Sequence, residues 1–260
     1  MNPRGLPEAL LSRVEDAGIN ASAPPQQRWI DGWLVRTSPG KAKRARCVQA
    51  VADGRLPLVE RLALCAAVFS AAKLPMVVRM TPFSRPDGLD RILDSDGYRR
   101  LDDTRVMVAT QLPRALEPLP PELVLQALAP AEFADAVGEL RSSPPSQRAA
   151  QAERLALSPV PYQGWGLLRP SDGVILACGQ TAVEAEFVGL YDVFTHPQAR
   201  GHGLARKLCT AMLARAGLAG ARLAYLQVEA DNHAARAIYH RLGFADAYGY
   251  HYRTCDPETR

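Results

Sequence analysis

Tyr191-Asp192-Val193-Phe194-Thr195-His196-Pro197-Gln198-Ala199-Arg200-Gly201-His202-Gly203-Leu204-Ala205-Arg206 is the stretch on which the reading turns. A strand stops at Pro197, and a short loop with two glycines one residue apart opens a helix. Glycines let the backbone approach a ligand without interference from a Cβ. The first turn of a helix offers unpaired N–H groups and a partial positive charge. Arg200 and Arg206 add charge of the same sign. A lone Gly-x-Gly is more often only a helix start. Here, however, no further glycine of the dinucleotide type follows and no Walker Lys-Ser/Thr is present, so the loop suits a pyrophosphate not held through Mg²⁺.

Working outward, hydrophobic periodicity and turn residues place the other elements. Before the loop, Leu123–Leu128 reads as a strand, Pro130–Leu140 as a helix started by proline, and Gln147–Leu155 as a second helix. Tyr162–Arg169 and Val174–Gly179 flank the turn Pro170-Ser171-Asp172-Gly173, and Phe187–Thr195 is the strand that enters the loop. After it come helix Gly203–Ala216, strand Arg222–Val228, helix His233–Leu242 closed by Gly243, and strand Phe244–Arg253. This is a mixed α/β layer structure.

Nearer the N-terminus, short strands at Trp33–Thr37 and Arg46–Val51 precede a helix at Leu58–Ala72. A strand at Met76–Met80, a helix at Leu89–Leu93 and a strand at Thr104–Thr110 follow. Gln111–Pro121 (QLPRALEPLPP) carries four prolines through which no helix or central strand can continue. The expected organisation is an N-terminal α/β domain over residues 1–113, a linker over 114–121 and a second domain over 122–260. An offset of 146 residues, the separation of Gly97 from Gly243, aligns the two halves without a gap. It places Gly97-Tyr98 on Gly243-Phe244 and Ile92 on Ile238, as a tandem repeat would, although helix–Gly–aromatic–strand is also a common local pattern.

In 260 residues, 47% hydrophobic and 22% charged composition excludes general disorder. The longest apolar run, Leu62–Ala72, falls short of the roughly 18–20 residues a membrane-spanning helix needs, and no signal-type segment opens the chain. A cytoplasmic protein without membrane contact is expected. A net charge of +4 is too small and dispersed to argue for nucleic acid. The basic run Lys41–Arg46 lacks interleaved aromatics and reads as a solvated loop. Five cysteines without metal or redox spacing read as reduced, buried thiols, and no metal is expected.

The loop resembles the acyl-CoA loop of the GNAT-type N-acetyltransferases, whose pattern Gln/Arg-x-x-Gly-x-Gly/Ala appears as Gln198-Ala199-Arg200-Gly201-His202-Gly203. Downstream, Val228 to Phe244 is similar to that family's succession of strand, Asn, Ala, Tyr and Gly-Phe, carried here by Asn232, Ala235, Tyr239 and Gly243-Phe244. The resemblance covers about Leu123 to Arg253. It implies a mixed central sheet with helices on both faces, a GNAT-like acyl-CoA N-acyltransferase fold, in two tandem domains. It also implies acetyl-CoA as co-substrate. Main-chain groups of Val193 and Thr195 would pair with the pantetheine arm. Backbone amides of Gln198, Ala199, Arg200, Gly201, His202, Gly203, Leu204, Ala205 and Arg206 would hold the pyrophosphate. Asn232 would contact the coenzyme or adjoining backbone, and Tyr239 would sit near its sulfur.

An alkylamine with a pKa near about 10.4 must lose a proton before it attacks a thioester, and the departing thiolate needs an acid. Tyr239 is the expected acid, against the alternative of an interfacial tyrosine. In relatives of the polyamine type a glutamate stands where this chain has Tyr191, which leaves Asp192, or Glu229 through a water, as candidate bases. Asp192 is equally readable as a residue bonding backbone, and Glu229 as a solvated strand end. His196 and His202 read as loop-surface residues. Tyr162, Trp165, Phe187 and Tyr191 are candidates for an apolar acceptor wall, or for core.

The expected activity is transfer of an acetyl group to a primary amine of a small molecule or peptide in a ternary complex. A silent CoA-binding sensor and an RNA- or protein-modifying acetyltransferase are the alternatives. The first half has Leu93 and Pro86 where the second has Tyr239 and Asn232, and Arg55-Leu56-Pro57 where the second has Gly201-His202-Gly203, so it cannot build the same site.

Overall fold

The computed structural model describes residues 5–38 and 42–256, which fall into two compact units. The helices are α1 Glu8–Ala21, α2 Leu58–Ala71, α3 Leu89–Ser95, α4 Pro130–Leu140, α5 Pro145–Ala156, α6 Leu204–Leu218 and α7 His233–Arg241. The strands are β1 Gln27–Ile30, β2 Trp33–Arg36, β3 Val48–Gln49, β4 Val78–Met80, β5 Arg99–Ala109, β6 Val124–Leu128, β7 Tyr162–Arg169, β8 Val174–Glu184, β9 Phe187–Thr195, β10 Leu223–Glu229 and β11 Ala245–Thr254. Helix α1 and strand β1 had no sequence signal above; the other elements overlap the segments where the periodicity placed them, with longer strands at β5 and β8 and shorter ones at β3 and β4. Of the basic run, Lys41 lies outside the described residues, while Lys43 pairs with Asp102 at 2.9 Å.

One unit comprises the chain up to Ala21, Val106–Val228 and Asn232–Ala247. Its sheet runs β6-β7-β8-β9-β10, closed beside β10 by the end of β5. β6 through β9 are antiparallel neighbours, and β9 and β10 are parallel, joined by the α6 crossover. Helices cover both faces. On one side Leu204, Leu208, Cys209, Met212 and Leu213 of α6 pack on Leu167, Ala177, Val188, Leu190, Ala224 and Leu226, with Tyr239 and Phe244 at the margin. On the other, Phe133, Ala136 and Val137 of α4 and Leu155 of α5 enclose Leu128 and Cys178. Period-2 alternation along each strand supplies both faces. Glu132 caps α4 by accepting from the Ala129 N–H at 2.8 Å, and Asn232 caps α7 by accepting from Ala235 N–H at 3.1 Å.

The second unit comprises Ser22–Arg105, Glu229–Asp231 and the chain from Tyr248 onward. β1, β2 and β3 are antiparallel, β3 and β4 parallel through the α2 crossover, and the end of β11 lies antiparallel to β4, with His251 opposite Met80 and Arg253 opposite Val78. Its core joins Leu62, Cys65 and Phe69 of α2 and Leu89 and Leu93 of α3 to Trp33, Val35, Val48 and Val78.

The 146-residue offset holds for four consecutive elements that end in a shared helix–Gly–strand turn. It sends α2 onto α6 to within a residue, β4 into β10, α3 into α7 and β5 onto β11. The helix ends agree in detail. Gly97 (φ 82°) and Gly243 (φ 86°) both take the left-handed conformation that favours glycine. The next residue donates back to an equivalent carbonyl, Tyr98 N–H to Leu93 O at 2.9 Å and Phe244 N–H to Tyr239 O at 3.0 Å.

Candidate active site

β9 and β10 pair only from Phe187–Leu223 to Leu190–Leu226, and beyond that point they part. The split coincides with a bulge. The β8–β9 register slips between Cys178 and Gln180, and Asp192 takes φ 48°. Past the bulge β9 stays paired to β8, and His196 N–H donates to Leu176 O at 2.8 Å. Alternation turns the main-chain groups of Val193 and Thr195 the other way, toward the edge that β10 has left. An extended chain can pair with that edge.

At the end of β9 the chain makes a single 3₁₀ turn, Pro197–Ala199, and enters α6 through Gly201 (φ 82°) and Gly203 (φ 72°). The amides of Gln198, Ala199 and Arg200 are engaged inside the turn, with His196 Nδ1, His196 O and Pro197 O respectively. The free run therefore starts at Gly201, three residues later than the motif alone suggested. From Gly201 through Arg206 no main-chain N–H has a hydrogen-bond partner among the described residues; the first to bond back is Lys207, to Gly203 O at 3.0 Å. Nothing lies within 4 Å of where a Cβ would stand on Gly201 or Gly203, so both glycines border open space. Arg200, Arg206 and Lys207 make no ion pair among the described residues. Arg200 instead donates to Thr195 O at 3.4 Å and lies 5.6 Å from the Phe194 ring centroid. Free donors at a helix start, with Arg200, Arg206 and Lys207 beside them in sequence, suit an anion.

Tyr239 packs edge-on against Phe244 at 6.0 Å between centroids, and its hydroxyl makes no hydrogen bond among the described residues. Burial, reinforced by Cys209, pushes it well above the ordinary tyrosine range, so it stays protonated at neutral pH. Burial also pushes the thiols of Cys178 and Cys209 up to about 12, which keeps them out of nucleophilic chemistry. Asn232 spends its side-chain oxygen on capping α7.

The two candidate carboxylates differ. Asp192 has both oxygens engaged: Oδ1 accepts from Arg141 Nη1 at 3.1 Å, and Oδ2 from Gln151 Nε2 at 3.1 Å and Gln180 Nε2 at 3.0 Å. Glu229 is exposed and makes no hydrogen bond or ion pair among the described residues. Sequence reasoning missed Arg141, Gln151 and Gln180, since nothing in their local pattern announces convergence from α4, α5 and β8. Of the four aromatics considered for an acceptor wall, Tyr162 and Tyr191 meet at 5.2 Å, and the Tyr191 and Tyr225 hydroxyls lie 2.9 Å apart. Trp165 is on the opposite face. It packs with the α6 core, under Arg215 at 4.9 Å, as its odd spacing from Tyr162 along β7 requires.

A parallel strand pair that splays at a bulge, followed by free amides at the next helix start, is the arrangement of the GNAT-like fold. Known proteins agree. Residues 132–244 match the Acetyltransferase (GNAT) family. Mycothiol acetyltransferase of Actinosynnema mirum is 30% identical over 187 residues, which is 68% of this chain and 63% of that protein. The chain thus spans less than two thirds of that relative's length. Among solved structures, a GCN5-related N-acetyltransferase from Kribbella flavida superposes with a TM-score of 0.69 at 17% identity, over 95% of this chain and 96% of that one. A tandem GNAT protein from the clavulanic acid biosynthesis pathway does so with a TM-score of 0.61 at 16% identity, over 82% and 76%. Residues 132–244 of this chain are thus similar to a GNAT acetyltransferase domain, and the solved structures share its fold.

Proposed function

We propose that the chain is an acetyl-CoA-dependent N-acetyltransferase acting on a primary amine of a small molecule or peptide by direct attack in a ternary complex. The observation that carries this reading is the unbroken run of free amides from Gly201 to Arg206 beside the open edge of Val193 and Thr195. When bound, acetyl-CoA supplies an activated thioester. The amides of Gly201 through Arg206, with Arg200 and Arg206, hold its diphosphate, and Val193 and Thr195 hydrogen-bond its extended arm. The Val193 N–H faces the open edge, where it meets negative charge developing on the thioester oxygen. The Tyr239 hydroxyl holds the proton that the departing thiolate takes. Asp192, with no oxygen left unengaged, fixes the bulge; Glu229 has lone pairs free to accept the amine proton through water.

The test is thiol release from acetyl-CoA against a panel of primary amines. Amine-dependent release supports the reading. Tight coenzyme binding with no release under any acceptor would replace the enzyme by a CoA-binding sensor.

A further inference from the structure

The same cradle exists in the first half of the chain, and it is filled. The 146-residue offset sets Arg55-Leu56-Pro57 on Gly201-His202-Gly203 and Arg61 on Lys207, and α2 starts at Leu58 as α6 starts at Leu204. In the second half the amides of Gly201 and His202 are free. In the first, Arg55 N–H donates to both carboxylate oxygens of Asp31, at 2.9 and 3.0 Å, and Leu56 N–H donates to Oδ2 at 2.9 Å. Those amide bonds, ahead of the Arg61 charge, hold the Asp31 carboxyl below the usual carboxylate range.

The surroundings are built to admit this carboxylate. Asp31 (φ 41°) and Gly32 (φ 85°) form the two-residue turn between β1 and β2. A Cβ on Gly54 would stand 2.1 Å from Asp31 Oδ2, so the oxygen lies where any other residue would put its side chain. Arg61, only 4% exposed, lies over the Trp33 ring at 4.7 Å, with Nε 3.1 Å from Asp31 Oδ2 and Nη2 donating to Leu56 O at 3.1 Å. Its Nη1 is buried without an acceptor. A buried guanidinium with an unspent donor, next to amides already turned onto an anion, marks a seat of anion-binding character that one carboxylate does not exhaust.

We propose that Asp31 stands in for the coenzyme diphosphate in the first half, so that the chain takes one acyl-CoA, in the α6 cradle alone. The inference rests on the acyl-CoA reading of that cradle. It makes Asp31 the residue that decides the stoichiometry: with the carboxylate gone, Arg61 and the Arg55 and Leu56 amides form a site for inorganic phosphate or pyrophosphate.

Calorimetry on the full chain tests it. The wild-type protein is expected to bind one CoA and one pyrophosphate. Asp31→Gly, tolerated by the positive φ, and Asp31→Ala, neither of which leaves a side-chain oxygen for the amides, are expected to bind a second pyrophosphate. Both are expected to lose thermal stability and to regain it with sulfate by more than the wild type gains. Two CoA per wild-type chain would overturn the proposal, as would variants with neither a second pyrophosphate event nor the extra sulfate response. Absence of CoA binding to the wild type would instead sink the proposed function, and the pyrophosphate and sulfate measurements on the variants would still decide the role of Asp31.

Discussion

Arg141 Nη1 lies 3.1 Å from Asp192 Oδ1, and this ion pair ties the C-cap of α4 to the bulge of β9. With Gln151 of α5 and Gln180 of β8 on the other oxygen, three elements meet on one residue whose backbone is in the left-handed region. Gln180 is 1% exposed, so its amide has no water to fall back on if the carboxylate is removed.

Asp192→Ala should therefore lower stability by about 1–3 kcal/mol in urea denaturation and raise the KM for acetyl-CoA, because the edge proposed to pair with the pantetheine arm starts at the bulge. Asp192→Asn should lower kcat while leaving the acid limb of the kcat/KM pH profile in place. Loss of that limb in Asp192→Asn would make Asp192 the base and refute the positioning role.

Tyr239 offers a different kind of test, since its hydroxyl is free of other partners. Tyr239→Phe should leave the Kd for CoA nearly unchanged and reduce kcat by roughly 10²–10⁴-fold, the usual range for a general acid. Because burial raises its pKa, the wild-type rate should show no fall from this group until pH exceeds about 10. A fully active Tyr239→Phe would dismiss the acid assignment.

The second half was readable in advance because its signals are local. Pro130 starts α4, Gly203 opens α6 and Gly243 closes α7, each through backbone geometry that one or two residues determine. The repeat offset was readable for the same reason, since Gly97-Tyr98 and Gly243-Phe244 make the same helix-ending bond. What escaped depends on contacts distant in sequence. Helix α1 packs with Gly18 against Gln227 and Tyr225, partners more than 200 positions away. β1 is a four-residue strand whose one neighbour is β2. The Asp192 network and the Asp31 seat join residues 12 to 51 positions apart, beyond any local pattern.

Gly203 tests the cradle itself. Its φ of 72° strains a β-branched side chain by about 1–3 kcal/mol, and a side chain there would occupy the open space beside the free amides. Gly203→Val should weaken CoA binding by roughly a hundredfold, equivalent to about 2.8 kcal/mol. Gly220, at φ 107° with equally open space at the far end of α6, separates strain from obstruction. Gly220→Val should lose stability and keep its CoA affinity. Equal loss of affinity in both would show that fold strain, not access to the amides, is being measured.

The pH dependence of stability should have an acid edge set by α3 and β11. Asp90 Oδ1 accepts from His251 Nε2 at 2.8 Å and from Arg253 Nε at 2.7 Å, and Arg253 also reaches Asp94 and Tyr98 O. Burial acts to raise Asp90, but the hydrogen bonds from Arg253 and His251 outweigh it and leave its carboxyl below the ordinary value. Burial dominates at His251 and lowers it, despite Asp90. Both groups therefore bind more protons in the unfolded chain than in the folded one as the solution is acidified. The stabilisation is fully present above about pH 6.5, the unfolded histidine value. It declines as His251 and then Asp90 are forced to protonate. The melting temperature should be level from about pH 8 to 6.5 and fall continuously toward pH 4. Asp90→Asn should melt lower at neutral pH and lose the steeper part of the fall below about pH 5, where only the carboxyl titrates. A wild-type melting temperature that rises between pH 6.5 and 5 would mean that His251 is stabilised as the cation, and that its pairing with Asp90 outweighs its burial.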